Sequence, residues 1–319
     1  MRYTRPAAAV GAVLAIAVGL SGCKSTSALE QEYVSTDIVV GSGMSTESRV
    51  VAEIYADALR GSGIEVSTDL GVGDRLDYVR ALESGRISVV PDDTASLLAF
   101  FRQVSADKAA EAAGRKSQVD SAATSPDAKA AGGQASELST MLPGYLRISD
   151  AALASREQSL VITDGSARQW NVHTVSELAS HCGNLEASVV AGLVSDAQLR
   201  NALADDYDCR FADVQVVDDA ADAAAALGDG SAEVAAVTNL SPAAHEDGLT
   251  VLDDDRDALP GGNLVPLFRA GTLQDEQIRA LNKVAGELTS KDLGDMVRKV
   301  DVDGRKIGDV VGDWRAQHG

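Results

Sequence analysis

Residues 87–98 read ISVVPDDTASLL, an apolar run that meets a proline, two adjacent carboxylates (Asp92 and Asp93) and Thr94 at the head of a helix-forming stretch. Paired carboxylates in that place can do one of two things. They solvate a turn, or they line the lip of a cleft and take a cation or a hydroxyl by charge-assisted hydrogen bonds. A second stretch, Gly41-Ser42-Gly43-Met44-Ser45-Thr46, joins a strand to a helix N-terminus, where free backbone N–H groups and the helix dipole favour an anion. Thr46 stands where a dinucleotide fingerprint needs its third glycine, so a tight turn and an anion cradle both remain open. Asp301-x-Asp303-Gly304 imitates the start of a calcium loop, but Arg305 and Ile307 follow and the closing Glu is absent. Asp253-Asp254-Asp255, followed by Arg256 and Asp257, reads as a solvated acidic turn. His173, His181, His245 and His318 match no zinc spacing, and no nucleophile elbow or phosphate loop is present. No residues are therefore expected to carry catalysis, and no metal or cofactor is expected.

The elements that must position these residues alternate. Thr36–Val40 reads as a strand, and Ser45 as the cap of a helix running to about Leu59, with Val50, Val51, Ile54, Tyr55 and Ala58 on one face. Ile64–Leu70 is the next strand and Gly71-Val72-Gly73 a turn. Asp74–Ser84 reads as a helix with Leu76, Val79 and Leu82 inward, closed by Gly85. Ile87–Val90 is the third strand. Such a βαβαβ order implies a parallel sheet flanked by helices. Its ligands are expected at the carboxyl ends of strands, here after Val40, Leu70, Val90, Thr163 and Val237. Residues 105–137 interrupt the pattern: they hold one large aliphatic, Val119, and read as a mobile or loosely helical insertion. Order resumes at Leu146 (YLRIS) and Leu160 (LVIT), and helices around 174–182 and 195–204, a strand at 214–217, a helix at 219–227 and a strand at 234–237 follow. The stretch 273–319 is largely helical, with Ile278, Leu281, Val284 and Leu288 at helical spacing.

The chain has 319 residues and a net charge of −20, with 45% hydrophobic but only 4% aromatic residues. That charge argues against nucleic acid, which needs basic patches. Arg2 and Arg5 precede an apolar run at 7–20, and Leu20-Ser21-Gly22-Cys23 follows. This is the arrangement of a lipoprotein signal ending at a lipidated Cys23, with 24–35 as a polar tether. The expected location is the outer face of the cytoplasmic membrane. In an exported chain, Cys182 and Cys209 read most simply as a disulfide worth roughly 3–4 kcal/mol.

Three stretches carry a resemblance: VVGSGMSTESRVVAEIYADAL, LGVGDRLDYVRALESGRISVVPDDTASLL, and the segment from Asn263 onward beginning NLVPLFRAGTLQDEQIRAL. ELASHCGNL through YDCRF is similar to the disulfide-bearing version of the same proteins. Together they resemble the glycine betaine/choline/osmoprotectant substrate-binding proteins of ABC importers. The resemblance implies an α/β, two-lobed type II periplasmic-binding fold, each lobe a mostly parallel sheet with helices. Lobe one would be 36–155 plus 243–319, with 105–137 inserted, and lobe two 156–242. It further implies a monomeric, lipid-anchored receptor that delivers a small polar or quaternary-ammonium solute to a permease and ATPase. The alternative is a degenerate binding fold acting as an envelope sensor or scaffold.

Members of that family commonly hold a trimethylammonium head in an aromatic box. Here the motif P-E-Y-T-G-T is Pro91-Asp92-Asp93-Thr94-Ala95-Ser96, and an aromatic-Asn pair is Gly262-Asn263. Tyr145, Trp170, Tyr207 and Phe211 are the aromatics in the middle of the chain. The expected ligand-binding residues are Ser42, Met44, Ser45 and Thr46 at the first turn and Asp74 at the second. Asp93 and Thr94 are expected at the third, Arg156 near the crossing, and Thr238, Asn239 and Asn263 opposite. Asp93 would offer a carboxylate where the family has a ring.

Overall fold

A computed structural model describes residues 37–112, 131–190 and 197–318. The signal segment, Cys23, the tether and residues 113–130 of the expected insertion lie outside the described residues.

The first half follows the βαβαβ order: β1 (Ile38–Gly43), α1 (Thr46–Gly61), β2 (Val66–Gly73), α2 (Arg75–Ser84), β3 (Val89–Asp93) and α3 (Thr94–Ala112). Ser45 caps α1 by accepting from Ser48 N–H, and Val50, Val51, Ile54, Tyr55 and Leu59 are buried along one face. Each such side chain contributes about 1.5–3 kcal/mol on burial. Asp74 caps α2 in a reciprocal box with Asp77, and Gly85 ends it in the left-handed region at φ 76°. An added Cβ at Gly85 would also meet Arg269 Nη1 at 2.7 Å, a flexible side-chain end that can give way, so the requirement for glycine comes from its φ.

Three boundaries differ from the sequence reading. β1 continues through Gly41–Gly43, β2 through Gly71–Gly73, and β3 through Pro91, Asp92 and Asp93, so neither glycine stretch is a turn and the two aspartates are strand residues. Pro91 does not end β3 because its antiparallel partner is Pro266. A proline facing a proline leaves no cross-strand N–H lacking a partner. Leu76 is not inward but 42% exposed. The buried stripe of α2 runs through Tyr78, Val79, Ala81 and Leu82, and Leu76 falls at its edge.

The ends of the 105–137 stretch are helical, in α3 and in α4 (Ala131–Met141). α4 is tied down by polar contacts as well as by Leu138. Gln134 is buried, takes a hydrogen bond from Thr94 Oγ1 at 2.6 Å and donates to Gly261 O at 3.1 Å. Apolar counting misses such an anchor.

Then come β4 (Leu146–Ile148), β5 (Ser155–Thr163), α5 (Asp164–Trp170), α6 (Val175–Leu178), β6 (Glu186–Val190), α7 (Ala197–Asp206), β7 (Asp213–Val217) and α8 (Ala220–Asp229). After these the chain forms β8 (Val234–Thr238), β9 (Leu249–Val251), β10 (Gly261–Arg269), α9 (Asp275–Glu287), α10 (Ser290–Asp301) and α11 (Ile307–His318). The strand order is β2-β1-β3-β10-β5-β8-β6-β7. Two parallel triplets, β2-β1-β3 and β8-β6-β7, are thus joined by β10 and β5, which pair antiparallel through Gly261–Glu157, Gly262–Arg156 and Asn263–Ser155.

Each triplet has apolar cores of its own. α1, α9, α10 and α11 pack on the first through Val50, Ile54, Leu281, Val297 and Trp314. Leu160, Ile162, Leu178 and Leu203 surround the Cys182–Cys209 disulfide in the second. Leu252 and Leu259 belong to that second core, and β9 pairs with β5. The acidic stretch 253–255 is exposed at Asp253 and Asp255 and turns at Asp255-Arg256, as the sequence reading expects, but half-buried Asp254 points inward. Asp254 accepts from Tyr207 Oη and from Ala258 and Leu259 N–H, and Asp255 accepts from Ser176 N–H.

Candidate functional site

The carboxyl ends of β1, β2 and β3 come together beside the β5–β10 crossing, and a cluster of five charged side chains is built there. α1 brings Glu47 in its first turn, α2 brings Arg75 and Tyr78, β3 brings Asp92 and Asp93, and β5 brings Arg156. Strand alternation sends the two aspartates to opposite faces. Asp92 turns to α2, where Arg75 donates from Nε at 2.8 Å and Nη2 at 2.9 Å and Tyr78 Oη donates at 2.5 Å. Asp93 turns to the crossing, where its Oδ2 accepts from Arg156 Nη1 at 3.0 Å; its Oδ1 accepts from Ser96 N–H at 2.8 Å. Arg156 also forks onto Glu47, from Nε at 2.9 Å and Nη2 at 2.6 Å. Its Nη1 lies 4.0 Å from Asp92 Oδ1, so two guanidiniums flank that one oxygen.

Burial sorts the charges. The side chains of Asp92, Asp93 and Glu47 are 1%, 2% and 9% exposed, whereas those of Arg75 and Arg156 are 29% and 21% exposed. The carboxylates are the most buried members of the cluster, and the arginine side chains keep part of their surface open. Burial alone would raise the Asp92 carboxyl, but Arg75, then Arg156 and Tyr78, outweigh it and hold the group below the usual carboxylate range. At Asp93 burial, aided by Asp92, outweighs Arg156, and the carboxyl is pushed up. Burial works against the charge on both arginines, yet Asp92 at Arg75 and Glu47 with Asp93 at Arg156 hold them firmly protonated.

The expected residues divide by what their side chains touch. Asp93 and Arg156 are in the cluster, and Thr94, next in sequence, is fully buried with its hydroxyl committed to Gln134. Ser42 is also fully buried, accepting from Gly71 N–H at 2.8 Å and donating to Gly43 O at 2.9 Å, which ties β1 to β2. Ser45 and Asp74 are helix caps. Thr46 donates to Asp301 at 2.7 Å and ties α1 to α10. Asn239 brackets β5 by accepting from Glu157 N–H at 2.9 Å and donating to Ser155 O at 3.3 Å. Asn263 donates to Ala152 O at 2.8 Å. Thr238 ends β8 directly opposite Gln158, and Met44 is 60% exposed.

Glu47, Arg75, Tyr78 and Asp92 complete the cluster and were not among the expected binding residues. Arg75 and Tyr78 did carry a signal, since the i, i+3 spacing places a cation and a hydroxyl on one face of a helix that follows a sheet edge. Glu47 meets Arg156 across 109 positions, and no local pattern shows that. Gly262 explains the missing aromatic at that place. An added Cβ there would lie 2.4 Å from Ala95 N and 2.7 Å from Thr94 Oγ1, so no ring fits. Two open depressions, of about 520 and 460 Å³, flank Ile148, Ser149 and Asp150 and include none of the cluster.

Residues 36–317 match the family defined as the substrate-binding domain of ABC-type glycine betaine transport system. Among solved structures, one described as a glycine betaine/carnitine/choline ABC transporter is similar at 15% identity and a TM-score of 0.67, over 88% of this chain and 98% of the other. Apo YehZ from Escherichia coli is similar at 18% identity and a TM-score of 0.65, over 89% and 99%. Lactococcal OpuAC in its closed form with glycine betaine gives 13% identity and 0.53, over 88% and 95%. At such identities these likenesses establish the fold, the two-lobed type II periplasmic-binding architecture. No curated protein matches the chain.

Proposed function

The chain belongs to the family of substrate-binding domains of ABC-type glycine betaine transport systems, and on that premise we propose that it is a lipid-anchored receptor that captures a small solute outside the cytoplasmic membrane and delivers it to an importer. Family members are solute-binding receptors rather than enzymes, and the substrate-binding proteins of ABC importers are extracytoplasmic. Among the described residues no helix is long and apolar enough to cross a membrane. Anchoring is assigned to Cys23, with 24–35 as the tether.

The single observation that carries the reading is the family match over residues 36–317. The charged cluster supports it, since it stands where strand ends of an open sheet bind ligands. Ligand is assigned to the space between lobes. Lobe one comprises the β2-β1-β3 half with α9–α11. Lobe two is the β8-β6-β7 half extended through Leu259, because Ala243, Leu249, Leu252 and Leu259 pack in its cores. β5 and β10 are the crossing strands about which the lobes would close. Ser42, Ser45, Asp74, Asn239 and Asn263 shape the walls rather than reach the solute. A thermal-shift screen of residues 24–319 with betaines, choline, polyamines, sugars and amino acids tests the reading. Saturable stabilisation by one class is expected.

A second reading, an envelope sensor or scaffold that carries no solute, draws on one observation: Arg156 already partners the carboxylates that a cation would use. Capture of a permease by crosslinking in cells supports the receptor. Its absence, with a flat screen, supports the scaffold.

A further inference from the structure

We propose that Arg156 is the specificity-determining residue of the cleft. It acts as a resident cation that takes the carboxylates a free cationic head would need and presents N–H donors instead, so the solute it selects carries a carboxylate or comparable anionic acceptor. The inference rests on the receptor reading and narrows its solute.

Three observations carry it. The first is orientation. An approaching cation finds no open carboxylate, because the side chains of Asp92, Asp93 and Glu47 are at most 9% exposed and each is already bonded to Arg75 or Arg156. A quaternary ammonium has no hydrogen to donate and is held by ring faces. The ring in this cluster, Tyr78, is 5% exposed with its hydroxyl committed to Asp92.

The second is donor supply. A guanidinium has five N–H groups. Among the described residues, Arg75 gives Nε and Nη2 to Asp92, and Arg156 gives Nε and Nη2 to Glu47 and Nη1 to Asp93. Both therefore keep N–H groups to offer, and both reach the same Asp92 oxygen within 4.0 Å. A two-oxygen acceptor can bridge such a pair, as guanidinium forks do with carboxylates. The buried acids hold the forks in place, so the donors are oriented before the solute arrives.

The third is a further donor on the same strand-end edge. Arg49 Nε is buried and without a partner among the described residues, and the guanidinium lies beside Gly71 and Met44. A buried N–H left without an acceptor is costly, and a bound anion would remove that cost.

The test is calorimetric titration of residues 24–319 with choline (cation only), succinate (anion only) and glycine betaine (both), repeated on Arg156→Ala and Arg156→Lys. The wild-type chain is expected to bind succinate saturably and not choline. In Arg156→Ala succinate should weaken at least tenfold, and guanidinium ion should gain a saturable site against Glu47 and Asp93. Arg156→Lys keeps the charge but loses the fork; it should keep a native near-UV spectrum and still lose about tenfold for succinate. Choline saturating the wild type while succinate is silent overturns the inference and leaves the receptor reading standing. Silence of succinate, whatever the other probes do, also overturns it. The receptor reading is judged separately by permease crosslinking, which needs no ligand.

Discussion

Arg156 Nη1 lies 3.0 Å from Asp93 Oδ2, so the carboxylate that stands in place of a ring is answered by the chain itself rather than left open for a solute. The arginine comes from the crossing strand and the aspartate from the first half. One ion pair therefore joins the crossing strand β5 to the end of β3. Because Arg156 holds Glu47 as well, the pair belongs to a network and is not a surface contact of negligible worth.

Removing the charge at Asp92 should be among the most damaging single changes. Its two oxygens receive Arg75 twice, Tyr78 Oη and Asp93 N–H. Asp92→Asn should lower unfolding free energy by about 3–5 kcal/mol near pH 7, as for breaking a buried pair from one side. The Asp92 carboxyl is held below its ordinary range. Its contribution is therefore present above about pH 4, near the unfolded value, and is lost as pH falls through the lowered folded value. Urea unfolding of wild type and variant should converge on acidification.

Asp93 should show the opposite sign. Its carboxyl is raised by burial and by Asp92, so the fold holds that proton more tightly than the unfolded chain does. The stabilisation is full below the unfolded value of about 3.9 and is lost as pH rises through the raised one. Asp93→Asn should flatten this decline in melting temperature as pH rises above the unfolded value. A variant that keeps the wild-type slope there would assign the proton elsewhere.

Gly262 should not tolerate even one carbon. With Ala95 N 2.4 Å from an added Cβ, backbone must move. Gly262→Ala should cost about 1–3 kcal/mol in chemical denaturation, in line with overpacked sites. No gain of choline binding should accompany it.

The disulfide closes a 27-residue separation inside the second core. Chain entropy assigns roughly 3–4 kcal/mol to a loop of that length. The Cys182→Ala, Cys209→Ala double variant should unfold at correspondingly lower urea.

Local chemistry was legible in the sequence. Ser45, Asp74 and Gly85 mark helix ends correctly, and the βαβαβ order predicts the parallel triplet. Distant partners were not. Pro91 reads as a strand end because Pro266, which makes it harmless, is far along the chain. Gln134 sits in a stretch that apolar counting discards, yet is anchored by two hydrogen bonds. Polar residues at the strand ends were recognisable as a group. Which of them face inward depends on caps and cross-strand bonds that composition does not reveal.

The most direct measurement is a crystal structure of residues 24–319 grown with a saturating solute identified by titration. That solute should lie between the halves, with an acceptor oxygen within hydrogen-bond distance of Arg156 and Arg75, and with the Arg156–Asp93 pair intact. A solute whose cationic head touches Asp93 directly, with Arg156 swung away, would contradict this placement.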